Sequence, residues 1–315
     1  MRVSKPRTRA ALAVLALAVV AVFVLPPSST PTPILNAGCP LAQAGSTIGM
    51  TVPSSCTVVA SDTASNPDPM PFWGRIDCQN SSREQRQTTG GDTHVTASGT
   101  SQGNSAFRRA TVIDGDYVWG ERCELGNNWS QPTGATPAGP GPTIFYHKGD
   151  RRLTYASLRL PSSTAMGRRW RTVLQMKQVQ PYNDSGIPGP IIELQLRDNH
   201  WMLVNNWHGI WTAPAQRGAW TRFAFDVTYS PNPSIGSIKV YADLNGDGDF
   251  GDAGEQSPTI HTATMVTEHD AGGISPYSVG QAIPDHLRAG IYEDPNYSCP
   301  TGCSMDLDNV QVVRP

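Results

Sequence analysis

The chain has 315 residues with 24 Lys and Arg against 26 Asp and Glu, a formal net charge of −2. That balance argues against nucleic acid or an anionic membrane surface as partner. The length suffices for one substantial hydrophobic core.

Arg2, Lys5, Arg7 and Arg9 precede an uninterrupted apolar run over 10–25, the charge-then-apolar layout of an export signal. The run stops at Pro26 and Pro27, short of the ~18 residues that argue for a membrane-spanning helix. Residues 1–25 are therefore expected to be a cleaved signal and the protein to be secreted. Its removal leaves 20 basic against 26 acidic groups, so an anionic polymer would have to be drawn in by a local groove. Residues 26–69, rich in Pro, Ser, Thr and Ala without a sustained period, read as a linker with one small stapled loop. All eight Trp lie at or after Trp73, which places the packed domain over 70–315.

Six cysteines in an exported chain favour disulfides over metal or redox roles. Proximity pairs Cys39 with Cys56 and Cys299 with Cys303, leaving Cys78 for Cys123. A zinc site at Cys299 and Cys303 lacks a second ligand pair nearby.

Within 70–315 the hydrophobic period is two. Leu153 to Leu160 sets Ala156, Leu158 and Leu160 on one face and Tyr155, Ser157 and Arg159 on the other. Similar runs cover 173–179, 191–196, 223–228, 238–242, 287–292 and 310–313, separated by turn clusters such as 182–190 and 230–236. Many short strands without a long amphipathic helix predict an all-β sandwich or barrel. A monomer is expected.

Three of these strands carry polar pairs on one face. Arg122 and Glu124 share a side, as do Gln175 and Lys177 opposite Leu174 and Met176. His286, Arg288 and Tyr292 line one face opposite Leu287, Ala289 and Ile291, and Gly290 leaves a bare spot for a sugar ring. Such a set suits elimination across the C4–O bond of a uronate. Removing the proton α to the carboxylate builds negative charge there, which Arg and amide donors stabilise. A phenol or imidazole then moves the proton. Each strand also has a bland reading, as a surface ion pair, a solvated face or a rim aromatic; it is their combination that points to chemistry.

These segments resemble the signature strands of jelly-roll polysaccharide lyases, the group of alginate lyases, glucuronan lyase and heparin lyase I. Arg122-Cys123-Glu124-Leu125 is similar to the alginate lyase R-S/T-E-L strand, Gln175-Met176-Lys177 to Q-I-H, and 286–292 to Y-F-K-A-G-x-Y. Asp306-Leu307-Asp308-Asn309-Val310 is similar to the closing D-N-V strand. The likeness runs from about Phe72 to Val313, and its spacing most resembles the heparin lyase I-like branch. It implies a concanavalin A-like jelly-roll β-sandwich that cleaves an acidic polysaccharide, with Arg122 and Gln175 neutralising the uronate carboxylate and Tyr292 as catalytic acid. The family's histidine is Lys177 here and its lysine is Arg288. A lysine is charged near neutrality and cannot accept a proton unless its pKa is depressed, so Lys177 reads as a second neutraliser and Tyr292 as both base and acid. His200 or His208 is the alternative base.

Other features are weighed beside these. Asp243, Asn245, Asp247 and Asp249, with Gly246 and Phe250, follow the spacing of a calcium loop, although position 12 is Gly254, flanked by Asp252 and Glu255. A structural Ca²⁺ is expected against the alternative of a solvated Asp/Gly turn. The stretch 200–211 is rich in aromatic residues: Trp201 reads as core, while Trp207, Trp211 and His208 are candidate sugar contacts. Glu193 and Asp226 read as structural. A carbohydrate-binding module on the same sandwich remains the competing function, and a retaining glycoside hydrolase would need a carboxylate pair that does not appear.

Overall fold

Alternating apolar and polar residues assemble into two antiparallel sheets. The computed structural model describes residues 56–69, 71–95, 101–102, 105–118, 120–126, 144–164, 169–179, 191–269, 277–294, 296 and 299–315. The expected signal, most of the expected linker, Cys39 and the turn cluster 182–190 lie outside these residues.

The first sheet contains β1 (Thr57–Asp62), β3 (Glu84–Gln87), β6 (Phe107–Val112), β8 (Arg151–Arg159), β13 (Trp220–Thr228), β14 (Ser237–Asp243), β15 (Ile260–His261) and β17 (Cys303–Arg314). Their order is β15-β14-β13-β8-β17-β6-β3, with β1 on β17. The second contains β2 (Arg75–Asp77), β7 (Glu121–Gly126), β9 (Arg171–Gln178), β10 (Ile192–Arg197), β11 (His200–Asn205), β12 (His208–Pro214) and β16 (Asp285–Glu293). Its order is β12-β11-β10-β9-β16-β7-β2. β4 (His94–Val95) and β5 (Ser101–Gln102) form a separate pair.

Each predicted run coincides with an observed strand, with Leu160, Val179 and Ile191 each one residue outside its strand, and their apolar faces meet between the sheets. Leu174, Met176, Leu287, Ala289 and Ile291 of the second sheet share a core with Ala156, Leu158, Phe223 and Phe225 of the first. Trp201 on β11 meets Phe223 on β13 edge to face, ring centroids 5.1 Å apart. Trp201 and Trp73 are fully buried, and each contributes about 4–6 kcal/mol of transfer free energy by area.

The packed part reaches back further than the boundary at residue 70. β1 pairs with β17, and the Asp62 carboxylate accepts from Trp73 Nε1 at 2.5 Å and Arg108 Nε at 2.6 Å. Residues 57–62 are thus a strand, not linker. Two expected disulfides are present, Cys78–Cys123 and Cys299–Cys303. The first spans 45 residues, which the loop-entropy model values at about 4 kcal/mol, and it staples the chain just after β2 to the middle of β7.

Candidate active site on the second sheet

The seven polar residues predicted on three strands share the face of the second sheet turned away from the core. Register sets them in rows across the strands. One row runs Arg122, Tyr292, Thr172, Gln195, Met202 and Thr212. Another runs Arg75, Gly126, Arg288, Gln175, Glu193 and Val204. Asp77 and Glu124 pair between these rows, and Lys177 pairs with His286 at the far end.

Hydrogen bonds tie the floor together. Gln175 Nε2 donates to Glu124, and Arg122 Nη1 donates to the other Glu124 oxygen at 3.2 Å. Arg288 Nη2 donates to Asp77 and stands 3.6 Å from Glu124. Asp77 also accepts from Arg75 Nε at 2.5 Å. Glu193 accepts from Thr172 and, at 3.1 Å, from Gln195 Nε2.

Burial governs the charges of this floor. It pushes the Glu124 carboxyl up, with Glu193 adding to the rise against Arg122, Gln175 and Lys177. Glu193 is pushed up by burial too, against hydrogen bonds from Thr172 and Gln195. Burial first, and then the nearby Arg122 charge, bring the Lys177 ammonium down to about 8, while Glu124 and Glu193 resist. The sequence reading made Lys177 a fixed cation; the structure makes it a group that exchanges its proton near neutrality. Burial, Lys177 and Arg75 hold His286 down at about 3, so its imidazole is neutral. Burial and Arg75 lower Arg288 to about 9, which leaves it a cation.

Tyr292 is fixed by three neighbours. The Arg122 guanidinium lies over its ring, 3.9 Å from the centroid, a contact of about 2 kcal/mol when desolvated. Trp170 meets the ring edge to face at 5.0 Å. Gly120, at φ +114, sits so close that a Cβ would stand 2.8 Å from Tyr292 Cε2 and 3.4 Å from its hydroxyl.

The structure corrects several expectations. Gly290 has φ +147, and a Cβ there would come within 2.8 Å of Glu124 Cα; the missing side chain admits the neighbouring strand rather than a sugar. Trp211 pairs with Leu203 and packs against the core, because a bulge at Leu203/Val204 keeps it on the inner face. His208 pairs with Asn205 and shares that inner side, at the exposed end of the hairpin. His200 is on the outer face, but three strands and one row from Tyr292, roughly 16 Å at Cα. His208 faces inward, and His200 is two strands and two rows from Gln175, whereas Lys177 is one same-face step from it, so neither histidine is placed as the base. Trp207 is exposed at the β11–β12 turn, with φ +69. Asp226 pairs with Arg151 at 2.7 Å, as a structural acid would, whereas Glu193 belongs to the floor. Sequence reading missed Arg75, Asp77, Thr172, Gln195, Gly120 and Trp170. The one signal for β2, Arg75 and Asp77 on alternate positions just before Cys78, is too short a pattern to read.

In the Asp243 loop the carboxylates are engaged locally. Asp243 holds Arg222 at 2.5 Å and accepts the Gly246 and Gly248 amides. Glu255 accepts the Leu244 and Asp252 amides. Asn245 donates to Asp247 and Asp252, and Asp249 accepts the Gly251 amide. Among the described residues, the one gathered set of metal-type ligands is Glu293 with Cys299 and Cys303, and those two sulfurs are bonded to each other.

The fold is similar to solved lyases. An endo-β-1,4-glucuronan lyase from the fungus Trichoderma reesei superposes with a TM-score of 0.52 at 13% identity, covering 82% of this chain and 96% of that one. A marine alginate lyase from Aplysia kurodai gives 0.50 at 10% identity, covering 82% and 100%. No curated protein matches in sequence. The family model described as polysaccharide lyase matches residues 73–304, which include every residue of the floor, and the chain belongs to the polysaccharide lyase family.

Proposed function

We propose that this polysaccharide lyase cleaves a uronate-containing polymer by β-elimination, with Lys177 as base and Tyr292 as acid. The observation that carries this reading is the shared outer face on which a lysine brought down to about 8 and a clamped tyrosine flank Arg122, Gln175 and Arg288. Lys177 pairs with His286, six residues along β16 from Tyr292, roughly 20 Å at Cα. The Tyr292 hydroxyl sits beside Gly120, on the side away from Lys177, so this mechanism requires bound substrate to draw both groups onto one sugar ring.

Arg122 and the Gln175 amide neutralise the uronate carboxylate, which makes the C5 proton more acidic. Neutral Lys177 Nζ takes that proton, the C4–O bond breaks as the C4=C5 double bond forms, and the Tyr292 hydroxyl protonates the departing oxygen. Water then returns a proton to the phenolate and removes one from the ammonium. The glucuronan and alginate named for the two structural relatives fit the substrate class. The amino-terminal charge pattern and the disulfides support action outside the cell, and the Asp243 loop is proposed as a weak, structural Ca²⁺ site. Incubating the purified protein with glucuronan, alginate and glycosaminoglycans should produce the ultraviolet absorbance of an unsaturated uronate with at least one of them. Depolymerisation without that absorbance overturns the mechanism.

A further inference from the structure

The floor is asymmetric about Gln175. Toward the β2 edge its row continues through Arg288 and Gly126 to Arg75. Asp77 bridges the two arginines, accepting from both. Arg75 and Arg288 differ in access: the Arg75 side chain is 25% exposed and that of Arg288 is 6%. Gly126 raises no side chain between them. Arg75 also bears electrostatically on Lys177, His286 and Arg288, which places its charge over the same floor. It reaches the floor from a strand of only three residues, anchored by buried Trp73 on one side and by the Cys78–Cys123 bond on the other. That is a strongly fixed seat for a partly exposed cation.

Toward β12 the same rows carry Glu193, Val204, Gln195, Met202 and Thr212, none of them a cation. Among the described residues, the outer face of that flank carries a positive side chain at exposed Arg197, paired with His200 one step beyond the Tyr292 row.

We propose that Arg75, backed by Arg288 across Asp77, is a second carboxylate-binding subsite on the β2 side of the scissile bond. The preferred substrate then carries a further uronate on that flank, whereas the β10–β12 flank accepts a neutral sugar. The proposal rests on the lyase reading above, and its test separates the two. Partially carboxyl-reduced polyuronate, in which neutral residues are scattered at random, is digested and the product ends are sequenced by mass spectrometry. The wild type should leave neutral residues next to the cut on one flank and exclude them from the other. Arg75→Ala should abolish the exclusion and raise KM on the unreduced polymer about tenfold, with kcat within about twofold at high pH, where loss of the Arg75 charge beside Lys177 no longer alters the protonation of the base, as expected for losing one charge-assisted contact. Arg75→Lys should restore part of the loss, and Arg197→Ala should leave both readouts as in the wild type. Equal tolerance on both flanks in the wild type, or an equal KM rise in Arg197→Ala, overturns the subsite. Absence of unsaturated ends from every digest instead overturns the lyase reading. Matching circular dichroism and Tm of the variants assign the changes to binding.

Discussion

Both sheets bury charged side chains on the face away from the core, and they do so with opposite sign. On the first sheet Arg222 is enclosed by Asp92 at 2.7 Å and Asp243 at 2.5 Å, with Ser157 donating to Asp92. Asp308 stands beside them, pushed up to about 8 by burial and by Asp92. Arg109 and Arg159 likewise converge on Asp306 at 2.7 and 2.8 Å. On the second sheet Arg75, Arg122, Lys177 and Arg288 face Asp77, Glu124 and Glu193, and burial pushes the two glutamates toward neutrality. There Arg288 Nε is a buried donor without a hydrogen-bond partner among the described residues. Carboxylates that saturate a cation hold a structure. Cations in excess over a half-satisfied floor are set up to receive an anion.

The largest effects should come from the second face. Tyr292→Phe and Lys177→Gln should each lower kcat by about 10² to 10⁴ with polymer binding largely kept. The base must be neutral, so kcat/KM of the wild type should rise with pH and level off above about 8, the position of Lys177. Removing the Arg122 charge, which helps hold that value down, should move the rise to higher pH. A flat profile between pH 6 and 9, or a Tyr292→Phe variant as fast as the wild type, would sink the assignment.

Breaking the first face should cost stability and spare turnover. Arg222→Ala takes the guanidinium away from buried Asp92 and Asp243, a loss of about 3–5 kcal/mol, or roughly 10 °C in Tm for a domain of this size. Activity per folded molecule, measured well below the transition, should match the wild type. A large fall in kcat at unchanged Tm would show that the two faces are coupled.

This contrast marks the limit of what sequence alone reveals. Alternation put Gln175 and Lys177 opposite Leu174 and Met176, and the structure agrees, because a two-residue period fixes the face of every side chain once a strand forms. The same rule cannot find a strand of three residues, so Arg75 and Asp77 went unseen. At β12 the reading of Trp211 rested on its aromatic neighbourhood alone, which carries no face, and the bulge at Leu203/Val204 sets that side chain inward. The hairpin there closes through Asn206 and Trp207 at φ 45 and 69, without the glycine that normally announces such a turn. Lys177 was identified but its chemistry was not, since its proton affinity depends on Arg122 and on burial beneath other strands.

Gly120 sharpens the comparison at a position with no charge. The Gly120→Ala side chain would press on Tyr292 at 2.8 Å, and φ +114 strains any residue with a Cβ. Displacing the phenol by about 1 Å should lower kcat roughly 10- to 100-fold, with KM changed less. A lower Tm with kcat per folded molecule unchanged would mean the glycine serves folding alone.

Lys177 should also show that the site is held at a cost. Its folded pKa of about 8 lies below the value of about 10.4 in an unfolded chain, so the folded state binds fewer protons between those values. Stability from this group therefore increases as pH rises from about 8 to 10 and is lowest below 8, where both states are protonated. Lys177→Met should raise Tm by a few °C at pH 6.5, and the gain should shrink toward pH 10. A lower Tm at pH 6.5 would mean that Glu124 and Glu193 outweigh the burial.

The smallest effect belongs to calcium at the Asp243 loop. Asp243 is already taken by Arg222 and two amides, and Glu255 by two more. The oxygens left to an ion come mainly from exposed Asn245, Asp247 and Asp252 and from Asp249, which is a weak set without the bidentate closing carboxylate. A Kd of about 10⁻³ M, typical of extracellular modules, gives about 0.4 kcal/mol at 1 mM Ca²⁺ and a Tm rise of about 1–2 °C. Chelation should reverse the rise and leave kcat untouched, since the loop follows β14 on the first sheet rather than the floor of the second. In Arg222→Ala the response should grow, because Asp243 is then released to the ion. Equal calcium shifts in both proteins would show that Asp243 is not a ligand, and loss of turnover in still-folded, chelated protein would move the metal from structure to catalysis.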